Sequence, residues 1–115
     1  MEPHPGGAYR LSYPGWLKDK LREWGRRAAA LGVVQRYTAA LRVITDRLTA
    51  APLEWGDPQY RLPALGLLVC HGAHDSLHVA YAVDEANRIV YLTNIRLLSG
   101  HPLAQGPPGG DGPTS

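Results

Sequence analysis

The sequence predicts an α+β fold, with an N-terminal strand, a two-helix antiparallel hairpin, and then an antiparallel β-meander packed on the helices. Three observations carry this expectation. From Leu17 to Leu48 the apolar residues step by three and four; after Gly66 the period shortens to two; and Gly and Pro gather at the chain ends and in residues 52–65.

Residues 9–13, Tyr-Arg-Leu-Ser-Tyr, alternate apolar and polar side chains, the period of a half-buried strand. Pro14 follows, and proline suits the first turn of a helix, where its missing N–H would have no partner anyway. A helix is expected from there, with Leu17, Leu21, Trp24, Ala28 and Leu31 as its buried stripe and Gly32 as its stop. The spacing recurs at Val34, Tyr37, Leu41, Ile44 and Leu48, which predicts a second amphipathic helix ending before Pro52. With so short a connection the two helices are expected to fold back on each other and share a core. Residues 52–65 contain Pro52, Gly56, Pro58 and Pro63 and read as a loop pinned by Trp55 and Tyr60.

Gly66 to His71 and Leu77 to Val83 then read as two strands, joined by a hairpin loop at Gly72–Ser76. The turn residues Asp84–Asn87 lead to a third strand, Arg88 to about Arg96. In the central strand Leu77, Val79, Tyr81 and Val83 are expected to face the helices, with His78, Ala80 and Ala82 on the other face. Any site belongs on that second face.

A chain of 115 residues, 44% hydrophobic and 19% charged, is enough for one core. The folded unit is expected at residues 8–104, between Pro/Gly-rich flexible tails at 1–7 and 105–115. No apolar run reaches the ~20 residues of a membrane span. The opening residues have neither a basic nor an apolar signal region, so a cytoplasmic protein is expected.

The single cysteine, Cys70, excludes an internal disulfide and a multi-cysteine zinc cage. Cys70, His71, His74 and His78 are the densest group of metal-ligand types, but Cys70 and His71 are strand neighbours that point to opposite faces. Neither a metal nor a cofactor is expected. The phosphate-cradling Gly-x-x-x-x-Gly-Lys loop, the dinucleotide fingerprint and the Gly-x-Ser-x-Gly elbow are all missing. Phe is absent and the aromatics do not interleave with Arg as in a single-strand-binding sheet, so Trp16 and Trp24 read as helix-core or partner-facing residues.

The formal charge of +2 conceals an asymmetry. Residues 18–47 carry eight Lys and Arg against three acids, and the rest of the chain is net acidic. Lys18, Lys20, Arg22 and Arg26 on the first helix read either as an ordinary solvated helix surface or as a candidate binding set suited to a polyanion or an acidic protein. His71 and His78 can share one sheet face across the hairpin, either as ordinary surface histidines or as a proton donor and acceptor near neutral pH.

Leu77-His78-Val79-Ala80-Tyr81-Ala82-Val83-Asp84-Glu85, followed by Arg88-Ile89-Val90-Tyr91, resembles the strand-turn-strand of the RelE/ParE superfamily of bacterial toxin-antitoxin toxins. The helix exit Leu48 to Pro52 is similar to that family's as well, and the resemblance spans about residues 9–98. It implies a compact toxin neutralised by an acidic, partly disordered antitoxin. RelE-like members cleave messenger RNA on the ribosome, using the ribose 2′-hydroxyl as nucleophile; ParE-like members lack that machinery and act against DNA gyrase. The nuclease pattern has an arginine where this chain has His78, lysines near His71, and a further arginine near Leu97 or Leu98, for which Arg96 is the nearest basic residue. A histidine version would use His71 and His78 as base and acid, with Arg96 stabilising charge on the phosphate. A toxin-like interaction module without catalysis is the third reading.

Overall fold

The computed structural model describes residues 8–105, so the expected tails lie outside the described residues except for Gln105. The chain runs β1 (Arg10–Ser12), α1 (Gly15–Ala30), α2 (Val34–Ala50), a short α3 (Pro52–Trp55), β2 (Asp57–Leu62), β3 (Leu67–His74), β4 (Leu77–Asp84) and β5 (Ile89–Leu97). Single 3-10 turns follow β2 at Pro63–Leu65 and β5 at Pro102–Gln105. The expected α+β class is what forms: helices packed on a five-stranded sheet ordered β1-β5-β4-β3-β2.

The helical hairpin follows from its turn. Gly32 adopts φ +76°, a conformation open to glycine, and lets Val33 N–H reach the Ala28 carbonyl at 2.8 Å while Gly32 N–H reaches that of Ala29 at 3.2 Å. These bonds satisfy carbonyls that the end of α1 would otherwise leave open. α2 then returns along α1, and the Tyr37 hydroxyl donates to the Leu21 carbonyl at 2.8 Å. Leu17, Trp24 and Ala28 of α1 and Tyr37, Ala40, Ile44 and Leu48 of α2 are buried against the sheet. The ends of the two expected stripes are not: Leu31 and Val34 flank the turn and are exposed.

The β3–β4 hairpin is tighter than the loop expected at Gly72–Ser76. Its strands run to His74 and from Leu77, leaving Asp75 and Ser76, both with positive φ, as a two-residue turn. Arg36 of α2 holds it, its guanidinium donating to both Asp75 carboxylate oxygens at 2.8 and 3.0 Å.

Residues 52–65, expected as a loop, instead form α3, β2 and a 3-10 turn. Pro58 is compatible with β2 because β2 is the sheet edge, and a register shift sits between Pro58 and Tyr60. Two close contacts dock this segment. Tyr81, wholly buried, donates its hydroxyl to the Pro52 carbonyl at 2.6 Å and accepts from the Gly56 N–H at 2.9 Å. Trp55 lies so close over Gly72 that a Cβ there would come within 2.7 Å of its ring.

At the other edge β1 pairs in parallel with β5, but only along Ile89–Tyr91. The rest of the outer edge of β5 is free of strands, and α1 reaches it through Lys20, whose ammonium donates to the Asn94 side-chain oxygen at 3.1 Å. As expected, Leu77, Val79, Tyr81 and Val83 are buried on the helix side. The opposite sheet face is only partly covered and carries His78 and Ala80; Ala82, flanked by its register partners Val69 and Tyr91, is buried.

Candidate functional site

Register alone brings the chemistry-bearing residues of the open face together. Asp57, His71, Ala80 and Asn94 occupy one row across β2, β3, β4 and β5. Ala73, His78 and Arg96 occupy the next row. His71 and His78 are thus diagonal cross-strand neighbours, and the small partners Ala80 and Ala73 leave room for their rings to meet. The ring centroids are 5.0 Å apart with planes at 76°, an edge-to-face contact. Both imidazoles are half-buried and Arg96, directly across from His78, is exposed.

The charges in the cluster act on one another. Partial burial pushes the His78 pKa below the ordinary imidazole value, and the nearby Arg96 and His71 add to the effect by disfavouring a further positive charge. Lys20 is lowered as well, by burial first and by Arg96 second. Its ammonium lies 4.9 Å from the ring centre of Trp24 and 5.8 Å from that of Trp16. Asn94 makes the junction, since its side-chain oxygen also accepts from the Ile95 N–H at 2.9 Å. Among the described residues neither Lys20 nor Arg96 is paired with a carboxylate.

The candidate residues therefore divide. His71, His78 and Arg96 come together on the open sheet face, and Lys20 joins them from α1 through Asn94. Lys18, Arg22 and Arg26 do not. Helical geometry puts Lys20 about 160° around the axis from Arg22, and those three side chains are exposed away from the cluster. Arg22 lies 3.8 Å from Asp19, and Arg26 Nε donates to Glu23 at 3.1 Å.

Other members had no signal of their own in the sequence. Asp57 sits on a strand that reads as a loop, and Asn94 gains its position from an α1 contact 74 residues away in sequence. Cys70 is wholly buried on the helix side, away from His71, and burial pushes its thiol pKa up. Among the described residues no three His, Cys, Asp or Glu converge to hold a metal ion, and no helix is long and apolar enough to cross a membrane. The arrangement offers two adjacent imidazoles with Arg96 across from one of them and Lys20 near Arg96, neither cation paired with a carboxylate among the described residues. Chemically this suits an anionic group whose reaction needs one proton removed and another supplied.

No family model, curated protein sequence or solved structure matches the chain.

Proposed function

We propose that this chain is a RelE/ParE-like toxin of a type II toxin-antitoxin system and that its open sheet face cleaves messenger RNA on the ribosome. One observation carries the reading: the His71–His78 pair, at 5.0 Å, lies on the partly covered face of the sheet with Arg96 directly across from His78, and Lys20 of α1 stands near Arg96 at the β5 edge.

His78, whose lowered pKa keeps it neutral near pH 7, takes the proton from the ribose 2′-hydroxyl. The 2′-oxygen bonds to phosphorus, the bond from phosphorus to the 5′-oxygen breaks, and His71 delivers a proton to that oxygen. The products are a 2′,3′-cyclic phosphate and a free 5′-hydroxyl. Arg96 stabilises the charge that builds on the phosphate oxygens. The positive surplus of residues 18–47 suits an acidic, partly disordered antitoxin, with Lys18, Arg42 and Arg47 exposed to meet it.

Induced expression in bacteria with separate readouts for translation and DNA supercoiling tests the reading. Arrest of translation with cut messenger RNA supports it. Gyrase inhibition with intact messenger RNA replaces it with the ParE-like activity, and unaffected growth leaves an interaction module.

A further inference from the structure

We propose that the groove between the start of α1 and the middle of β5 is a stacking subsite for one base of a single-stranded RNA. The proposal rests on the reading of the open face as an RNA-cleaving surface and names the form of RNA that it takes.

The groove is a shallow, open depression of about 360 Å³, lined by Tyr13, Pro14 and Trp16 at the start of α1 and by Tyr91, Leu92 and Thr93 from β5. Its three aromatic rings are unusually open: Tyr13 is 42% exposed, Trp16 55% and Tyr91 38%. The core does not require them, because the buried aromatics are Trp24, Tyr37 and Tyr81. Exposed rings lining one concave surface offer the flat apolar faces on which bases stack, and such stacking accepts any base. These rings come from separate parts of the chain, so they show no interleaved pattern in sequence.

The groove also adjoins the cationic cluster at Lys20. The Lys20 ammonium lies 5.8 Å from the Trp16 ring centre and 3.1 Å from Asn94, the neighbour of the groove residue Thr93. Lys20 in turn feels the charge of Arg96, which stands across from His78. A path therefore leads from the aromatic groove through Lys20 and Arg96 to the imidazole pair. That order of ring, cation and reaction centre matches a nucleotide chain, with a base in the groove and the adjoining phosphates over Lys20 and Arg96. An apolar peptide segment in the groove would leave the ammonium beside Trp16 without an anion. A duplex keeps its bases stacked within the helix and has none to offer.

The test uses a fluorescent single-stranded oligoribonucleotide with 2′-O-methyl sugars, which lacks the nucleophile and so reports binding alone. Trp16→Ala and Tyr91→Ala, both at exposed positions, are each expected to weaken binding by about 10-fold. Replacing one nucleotide at a time by an abasic unit should find a position where wild type loses a similar factor and Trp16→Ala loses nothing more. Unchanged affinity in both variants overturns the subsite. The two readings fail separately. Trp16-dependent binding without cleavage of messenger RNA on ribosomes keeps the subsite and removes the nuclease; cleavage on ribosomes with Trp16-independent binding does the reverse.

Discussion

The Lys20 ammonium and the Asn94 carboxamide oxygen meet at 3.1 Å across 74 positions of sequence, where α1 covers the edge of β5 that β1 leaves free. The same oxygen accepts the Ile95 N–H, so one side chain satisfies an edge donor of the sheet and places a cation beside Arg96. Asn94→Ala is expected to lower stability by about 1–2 kcal/mol in urea unfolding, because that N–H loses its partner. Lys20→Met keeps the apolar stem and removes the charge. For binding to single-stranded RNA it should reduce the slope of log affinity against log salt by about 0.7, the share of one phosphate contact.

A pH profile tests the role of His78. Partial burial and the charges of Arg96 and His71 hold its pKa below that of an ordinary imidazole, so the rising limb of the cleavage rate should fall at lower pH than an ordinary imidazole would set. Arg96→Gln removes one of the charges that hold the pKa down. The rising limb should then move to higher pH, in addition to any loss of rate. An unmoved limb would separate Arg96 from the ionisation of His78.

Tyr81 is the point at which β4 holds α3 and β2. Its hydroxyl links the Pro52 carbonyl to the Gly56 N–H inside the protein, and its ring stacks on Trp55 with centroids 5.9 Å apart. Tyr81→Phe keeps the ring but leaves both groups without their partner. A loss of about 1–3 kcal/mol is expected in urea or thermal unfolding.

His101 is a second source of pH dependence. It is buried, its Nδ1 accepts the Leu103 N–H at 3.1 Å, and its Nε2 has no partner among the described residues. Burial lowers its pKa, and the Arg36 charge acts in the same direction against the smaller opposing effect of Asp75. The folded protein thus favours the neutral ring, and the unfolded chain binds more protons below the ordinary imidazole value of 6.5. The stability contributed is fully present above that value and lost as pH falls from it through the lower pKa of the folded state. Urea midpoints measured at about pH 5 and pH 7.5 should differ less in His101→Gln than in wild type.

The helical hairpin, the central strand and the side of the sheet that holds the histidines were legible because each depends on local periodicity. Leu17, Trp24, Ile44 and Leu48 mark their helices by spacing, and period two puts His78 opposite the buried Leu77, Val79 and Tyr81. β2 was not legible. As an edge strand with five of its six residues exposed it shows no apolar alternation, and it contains a proline and a register shift. Nor was the parallel pairing of β1 with β5, which joins the two ends of the fold. The same distinction divides the site. The two histidines are seven residues apart on one hairpin, whereas Lys20, Asn94 and the Tyr13–Trp16–Tyr91 groove exist only once α1 lies against the sheet edge.

The most direct test incubates the protein with ribosomes carrying messenger RNA and maps the RNA ends, comparing wild type with His71→Ala and His78→Ala variants shown by circular dichroism to be folded. Cleavage by wild type that leaves 2′,3′-cyclic phosphate ends, with a loss of at least about 100-fold in each variant, is the expected result. Cleavage that persists in both folded variants, or messenger RNA left intact by wild type, would contradict the assignment of the imidazole pair as the catalytic centre.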